Sequence, residues 1–446
     1  MITVEPLQLP MLDGRIAIAA AALTHALFAT FIVGSSFIGA LTETIGYVRG
    51  RGHFERLARF IAFTLILTTA TVSFMGVVLV FFLNIFWPHF WSTLFRIMFW
   101  PLLLEALLFL AEAIFAYTWY YSWEWATIRT PLGRDLAATQ ASGDRRKRVH
   151  LVFGWMAAAS SLIAMVMIDI VGSYMLTPTS LEFSWDRVFN PTMIHLDLHR
   201  IFGNFTWTGF GLGGLCAIAL LRAKQDPERE FYRWAASYCF IFGFGALLLM
   251  PIIGYQYLLQ IRHVQPQAFQ TLMLGERSWL FDLVALVYGL LLVLGSWYIY
   301  RLVRASSDRT GSARTFLPIS LTVMVLAAMV FAMPYHIQHI PFARLFTHHE
   351  INPIGKMQPN KYFALSFLVT FGFVNFIYYL KAFAKGIQTK RKASNAGTAL
   401  LIALSVCSIV IMLTMGWSRE TARAANGYLI YGKFKLSDEA ATYRSP

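Results

Sequence analysis

Apolar side chains fill long stretches of this chain, and short polar segments rich in basic residues separate them. Ten of these stretches are long enough to cross a bilayer as helices, which requires about 20 residues each. The pattern therefore predicts an all-α, polytopic membrane helix bundle. The ten predicted helices cover approximately residues 15–47, 57–83, 98–122, 151–175, 197–221, 233–257, 280–300, 315–334, 360–383 and 397–417.

Composition supports a membrane protein. The 446 residues are 57% hydrophobic and 13% charged, and the mean hydropathy is +0.56. The charged fraction is about half that of an ordinary soluble domain. The net charge of +14 is assigned to the loops, because Lys and Arg accumulate in cytoplasmic loops, and it does not indicate a nucleic-acid partner.

Alternate loops carry the basic residues, and this fixes the expected orientation. Lys and Arg concentrate in segments 48–59, 123–150, 222–233, 301–314 and 381–392. These loops are predicted to be cytoplasmic. Both termini then lie on the periplasmic side of a bacterial inner (plasma) membrane.

Two carboxylates interrupt the apolar helix that begins near residue 98. Glu105 and Glu112 are seven residues apart, so both lie on one helical face. A carboxylate at bilayer depth costs several kcal/mol unless it faces a protein interior, a cavity or a partner. One interpretation is a pair of interhelical hydrogen bonds. The favoured one is a buried acid pair that handles protons or faces a metal centre.

Histidines and carboxylates on five predicted helices fall at a similar depth on the outer side. They are His25, Glu105, Asp169, His199 and Glu420. Imidazole is the commonest haem ligand in a helical bundle, and a carboxylate or Met can also serve. This convergence predicts several haem groups near one membrane surface, and hence electron transfer.

Other polar residues receive no chemistry. Glu43 is predicted to pair with a basic loop, His195 to cap the outer end of its helix, and His53, His89 and His150 to be solvated. Cys216, Cys239 and Cys407 are isolated, and the absence of a CxxCH motif excludes covalent haem c.

One outer loop, 335–361, is dense in potential ligands. It holds His336, His339, His348, His349 and Met357. Copper binding, a haem ligand and a simple solvated loop all remain open for it.

Four motifs occur in order along the chain. They are Arg15-x9-His25 followed by a Thr-Glu-Thr stretch ending in Tyr47; Pro-Leu-x-x-Glu at 101–105 followed by Glu112; Asn190-Pro191-x7-His199; and Tyr362-Phe363-Ala364 followed by Glu420-x-x-Arg423. In these motifs the chain resembles subunit I of the cytochrome bd-type oxygen reductases, over roughly 1–257 and 360–425. The family spaces the acid pair one residue wider.

The resemblance implies roles for the matching residues. His25 and Glu420 would ligate the high-spin haems, and His199 would ligate a low-spin haem b. Glu105 and Glu112 would serve the active haem and proton delivery, and Arg423 would lie beside haem propionates. Cofactors would be two or three haem b groups, with haem d as an alternative for one of them.

The chain also departs from the family pattern. Ser366 and Leu368 stand where the family has an Arg and a haem-ligating Met. Met329, Met333, Met357 and His336 are the candidates to replace that ligand. The long hydrophilic quinol loop is missing, Ala424-Ala425-Asn426 replaces a Gln-Pro-Trp motif, and the final family helix is missing.

The expected function is a haem-containing oxidase subunit that reduces dioxygen to water. Its electron donor would be a quinol or a cytochrome c, and a second membrane subunit is its expected partner. One alternative is a haem b electron conduit within a larger respiratory complex. Another is a proton-coupled transporter, which would show inverted repeats.

Three parts are predicted along the chain. Residues 1–257 form a haem-bearing six-helix part, and residues 258–359 form an extra helical hairpin with the His-rich outer loop. Residues 360–446 form a two-helix part that carries the ligand Glu420 and a polar tail.

Overall fold

A computed structural model describes residues 6–7, 13–126, 136–179, 185–275, 277–304, 311–334, 358–386 and 395–425. Every regular element in these ranges is an α-helix. The helices are α1 (Gly14–Arg49), α2 (Gly52–Phe86), α3 (Pro88–Ile97), α4 (Phe99–Tyr121), α5 (Trp123–Ala126), α6 (Leu136–Leu176), α7 (Trp185–Val188), α8 (Met193–Arg222), α9 (Asp226–Val264), α10 (Pro266–Met273), α11 (Ser278–Arg304), α12 (Gly311–Ala332), α13 (Gln358–Ala384) and α14 (Asn395–Ala425).

Within the described ranges, ten helices are long and apolar enough to cross a membrane. They are α1, α2, α4, α6, α8, α9, α11, α12, α13 and α14. Each corresponds to one of the ten predicted stretches, so the prediction of an all-α polytopic bundle is confirmed. The chain is a multi-pass membrane protein.

Several helices run further than hydropathy predicts. The basic run 145–148 lies inside α6 rather than in a loop, and α3 occupies most of the predicted outer loop 84–97. Lys and Arg are good helix formers, and Pro88 has the fixed φ that suits a first helical position. Hydropathy reports where the apolar run ends, whereas the backbone hydrogen bonds continue past it.

The chain divides into two compact units, one within Met1–Asp197 and the other within Leu198–Asn426. In the first unit α1 packs against α2 and α6, and α4 packs against α2 and α6. At its centre the fully buried Trp119 lies between two glycines. A Cβ on Gly39 would be 2.7 Å from the indole, and a Cβ on Gly154 would be 3.0 Å from it.

The second unit depends on close approaches between helices. A Cβ on Gly209 of α8 would lie 2.2 Å from the backbone nitrogen of Gly243 on α9. Gly214 of α8 faces Ser405 of α14 at a similarly short range. Small residues let membrane helices pack backbone to backbone, and in lipid this packing replaces the hydrophobic effect as the main attraction.

A buried ion pair joins the predicted extra hairpin to the following helix. Lys361 Nζ on α13 donates to Asp282 Oδ1 on α11 at 2.9 Å, and Lys361 is only 3% exposed. About four turns further along α13, Asn375 accepts a hydrogen bond from Ser320 of α12 at 3.0 Å. Polar contacts between spans add about 0.6 kcal/mol on average, so α11, α12 and α13 are tied together within this unit.

Candidate functional site

The acid pair lies on α4 of the first unit. Glu112 is buried, and among the described residues its Oε1 makes no hydrogen bond. Ser161 of α6 lies close to this carboxyl, and Glu105 is near enough for the two charges to interact. Glu105 itself is only half buried. Burying a carboxyl oxygen that makes no hydrogen bond costs free energy, so its presence in an apolar span marks a candidate functional position.

His25 is held on α1 by the neighbouring helix α2. Its Nδ1 lies 3.3 Å from the Val72 carbonyl oxygen, and a Cβ on Gly76 would be 3.2 Å from its Cε1. A hydrogen bond from Nδ1 to a carbonyl fixes the tautomer in which Nε2 carries the lone pair. The imidazole is thus oriented as metal-bound histidines are.

His199 lies on α8 in the second unit, where its side chain is half buried and its Nδ1 is enclosed by protein. Its Nδ1 makes no hydrogen bond to any described residue. Gly254 of α9 faces the ring, where a Cβ would be 3.5 Å from Cε1, and the Tyr257 ring lies 5.9 Å away. A buried imidazole nitrogen without a partner calls for an explanation, and coordination of a metal is one.

Glu420 and Arg423 lie in the last turns of α14, whereas the sequence placed them after a helix ending near 417. Arg423 Nη1 donates to Glu420 Oε1 at 2.9 Å, and Arg419 Nε donates to the same oxygen at 3.0 Å. The pair at i and i+3 favours continued helix. Both bonds end on the Oε1 atom of the carboxylate.

The structure groups the predicted site residues by unit. His25, Glu105, Glu112 and Asp169 belong to the first, and His199, Glu420 and Arg423 belong to the second. Asp169 on α6 is buried. The predicted common depth of the five outer residues remains a prediction.

The expectation for His150 is wrong. His150 is fully buried on α6, 3.0 Å from a carboxylate oxygen of Glu43. The predicted pairing of Glu43 with the basic segment is confirmed, since Lys147 donates to it. His53 and His89 are exposed, as predicted.

The candidates to replace the missing haem-ligating Met differ in their exposure. Met329 is 58% exposed, and Met333 is half buried at the end of α12. Leu368 is fully buried on α13, and Ser366 is exposed. The His-rich loop with His336 and Met357, and the polar tail after 425, lie outside the described residues.

A metal-ion site built from several side chains is another possibility that the structure tests. In the part of the chain that the structure describes, no three His, Cys, Asp or Glu side chains come together to hold a metal ion. A haem needs only one or two axial side chains from the protein. The single histidines at positions 25 and 199 fit that simpler requirement.

The described part of the chain is thus a multi-pass helical bundle with carboxyl and imidazole groups buried in its spans, and such groups mark candidate functional positions in a membrane protein. Residues 14–131 and 143–274 match the family "Cytochrome bd terminal oxidase subunit I". The match covers more than half of the chain, which therefore belongs to this family. The predicted resemblance is confirmed.

Two relatives are consistent with this assignment. "Cytochrome bd ubiquinol oxidase subunit 1" of Bacillus subtilis (strain 168) is 24% identical over 275 residues, which are 59% of this chain and 53% of that protein. The chain thus spans about half the length of that relative. The bd oxidase structure from Geobacillus thermodenitrificans matches with a TM-score of 0.53 and 16% identity, over 92% of this chain and 98% of that one. The second likeness concerns the fold alone.

Proposed function

We propose that this chain is the haem-bearing membrane subunit of a bd-like terminal oxidase that reduces dioxygen to water. The observation that carries the proposal is the setting of His25 in a chain of this family. Its Nδ1 is engaged by a backbone carbonyl, and a glycine lies against the ring. That arrangement presents Nε2 as an iron ligand.

The residues of both units fit haem. His25 and Glu420 are proposed as ligands of high-spin haems and His199 as the ligand of a further haem b. The total would be two or three haem b groups, with haem d as an alternative for one. Bound haem would supply the iron at which dioxygen is reduced. Arg423, which is 6% exposed on its side chain, would balance propionate charge through a charge-assisted hydrogen bond.

Glu112 and Glu105 are proposed to supply protons. Reduction of dioxygen to water consumes protons, and the apolar spans keep bulk water away. Glu112 is buried with an unbonded oxygen, and Glu105 lies two turns along the same helix. A neutral carboxyl in this position can donate a proton and be reprotonated by the other.

The proposed partners follow from the family and from the features in which this chain departs from the family pattern. A second membrane subunit is proposed, and both termini are proposed to lie on the periplasmic side of a bacterial inner membrane. The B. subtilis relative is named a ubiquinol oxidase, so a quinol is one proposed donor. Because the long hydrophilic loop of the family is missing, a cytochrome c is the other.

A second candidate function is a haem b electron conduit without oxygen reduction. The fully buried Leu368, in place of the family Met, favours a changed electron path. The deciding experiment is a dithionite-reduced minus air-oxidised spectrum of the purified protein, repeated with carbon monoxide. A carbon monoxide-sensitive high-spin haem supports the oxidase. Low-spin haem that ignores carbon monoxide favours the conduit, and the absence of haem refutes both.

Glu112→Gln is expected to slow oxygen consumption by about 100-fold, the lower end of the range for loss of a proton-transfer group, while the haem spectrum stays unchanged. The amide keeps the shape of the carboxyl but cannot carry its proton. The control is Glu124→Gln, which alters an exposed carboxylate just beyond α4. Equal turnover in the Glu112→Gln variant and the unsubstituted protein would remove the proton role.

Leu368→Met tests the position of the missing ligand. If a haem lies between His199 and position 368, the thioether is expected to produce a sharper, six-coordinate low-spin spectrum. The control is Leu404→Met, at another fully buried leucine of the same unit. The same spectrum from both variants would place the ligand elsewhere.

A further inference from the structure

A buried polar cluster in the first unit has no role in the function proposed above. Its centre is Glu43 of α1, which is completely buried. The Trp119 indole of α4 donates to Glu43 Oε2 at 2.6 Å, and Lys147 of α6 donates to Oε1 at 2.5 Å. His150 Nε2 lies 3.0 Å from the same Oε1. We call Glu43, Trp119, Lys147 and His150 the Glu43 cluster.

The Glu43 cluster is connected to the surface of the unit. The side chain of Lys147 is 12% exposed, and its Nζ also lies 3.6 Å from Glu55 Oε1, on a carboxylate that is 38% exposed. In the other direction, His150 Nδ1 lies 2.8 Å from the Ser122 hydroxyl. Both ring nitrogens therefore have a polar neighbour, as a proton-relaying imidazole requires.

Charged side chains lie around the Glu43 cluster at this end of the unit. Arg49, Arg51 and Arg145 are exposed there, and Arg148 pairs with Asp144 at 2.9 Å. These groups stay in contact with solvent, whereas Glu43 does not. A fully buried carboxylate with cationic neighbours is costly to assemble. This cost favours a use beyond attaching helices to one another.

The helix register connects the Glu43 cluster to Glu112. On α4, Trp119 follows Glu112 by seven residues, which is two turns or about 10.5 Å of rise. On α6, Gly154 contacts Trp119 and Ser161 follows it by seven residues. Ser161 is the residue that lies close to the Glu112 carboxyl. Glu112 of α4 and Ser161 of α6 thus form a polar layer that lies two helical turns from the Glu43 cluster. We call it the deeper layer.

α1 continues the same layer. Ser36 precedes Glu43 by seven residues on the same helical face and is fully buried. Its hydroxyl lies 3.1 Å from the Val33 carbonyl. A hydroxyl in that position can turn to accept and donate a proton. At this height along their own axes, the three helices therefore carry a carboxyl and two hydroxyls.

Trp119 separates the two layers. Gly39 and Gly154 lie against the two sides of its indole, so the ring fills the space between them. Its position is fixed by the bond to Glu43. A hydrogen bond to a carboxylate is about twice as strong as one to a neutral acceptor. Protonation of Glu43 would therefore loosen the indole that closes the way inward.

We propose that the Glu43 cluster is the proton inlet that supplies Glu112, with Trp119 as its gate. This inference rests on the proposed function. Glu43 accepts a proton from Lys147, which regains one from solvent, and the proton then passes inward past the loosened indole to Glu112. His150 holds Glu43 in place and offers a second acceptor. One proton moves, and no electron is transferred.

The test measures how fast the Glu112 proton exchanges with deuterium. The purified complex is moved into D2O, and the carboxyl C=O band is followed by infrared spectroscopy; Glu112→Gln identifies the band. Glu43→Gln is expected to slow this exchange at least tenfold, with the haem spectrum unchanged. Asp144→Asn is the control, because Asp144 lies at the same end of α6 and bonds Tyr47 and Arg148 instead.

Equal exchange rates in Glu43→Gln and Asp144→Asn would overturn the inlet. The proposal would also be overturned if Glu112→Gln removed no carboxyl C=O band. Glu112 would then hold no proton in the unsubstituted protein. If Glu43→Gln fails to fold, Lys147→Gln decides instead. It keeps Glu43 bonded to Trp119 and His150 but cuts the link to the surface, so unchanged exchange there also overturns the inlet.

Oxygen consumption by the unsubstituted complex separates the two proposals. If that complex consumes oxygen and Glu43→Gln slows both exchange and oxygen consumption, both proposals are supported. If the unsubstituted complex consumes no oxygen but Glu43→Gln slows exchange, the inlet is supported and the oxidase is refuted. Normal exchange in Glu43→Gln, in a protein whose unsubstituted form consumes oxygen, refutes the inlet alone.

Discussion

His25→Ala is expected to abolish the carbon monoxide-sensitive haem signal of the purified protein and to lower its haem content. The imidazole is held by the Val72 carbonyl and faces Gly76, so alanine removes a pre-oriented ligand. The measurement is the carbon monoxide difference spectrum together with extracted haem per chain.

His53→Ala is the matched control, because His53 is an exposed histidine at the start of α2 in the same unit. It is expected to leave both readouts unchanged. Free imidazole added to a His25→Gly variant should restore part of the signal if the lost group is a ligand. Full haem content and a normal carbon monoxide spectrum in His25→Ala would refute the assignment.

Gly209→Ala is expected to destabilise the second unit by about 3 kcal/mol, the upper range of ordinary overpacking. The new Cβ would lie 2.2 Å from the nitrogen of Gly243 and 3.0 Å from the carbonyl oxygen of Cys239. Both atoms belong to the backbone of α9, so no side-chain rotation can relieve the clash. The helices must separate, and the contacts on either side weaken.

Thermal unfolding in detergent, followed by size-exclusion chromatography, measures this effect. Gly397→Ala is the control, because nothing lies within 4 Å of a Cβ at that position of α14. Alanine in an open helical site is neutral or stabilises by about 0.5–1 kcal/mol. Equal melting temperatures for the two variants would show that α8 and α9 do not approach as closely as described.

The sequence predicted the helices well because the bilayer imposes a simple rule. Every backbone polar group in lipid must be bonded within a helix, so long apolar runs have one solution. The ten stretches accordingly became ten spans. The ends were less predictable, as α6 and α14 show: helix formation continues into basic segments such as 145–148, where hydropathy has already fallen.

The residues of the candidate site were predicted less completely than the helices. Glu112 and His199 are conspicuous as polar residues in apolar runs, and the structure buries Glu112 and encloses the Nδ1 atom of a half-buried His199. His150 was wrongly predicted to be solvated, because it follows a run of basic residues of the kind that is typical of loops. Once α6 is extended, Lys147 and His150 are three residues apart on one face, and that spacing could have identified them.

The sequence by itself determined the number of spans, the family and the identity of the ionisable groups in the membrane. These depend on local composition and on motif order, which are readable one residue at a time. Only the tertiary structure decided that Glu43 is fully buried among Trp119, Lys147 and His150, and that Gly76 and Gly254 face the two histidines. Such contacts join residues as far apart as Glu43 and His150, which are 107 positions apart along the chain, and they arise from how helices pack, which no local pattern specifies.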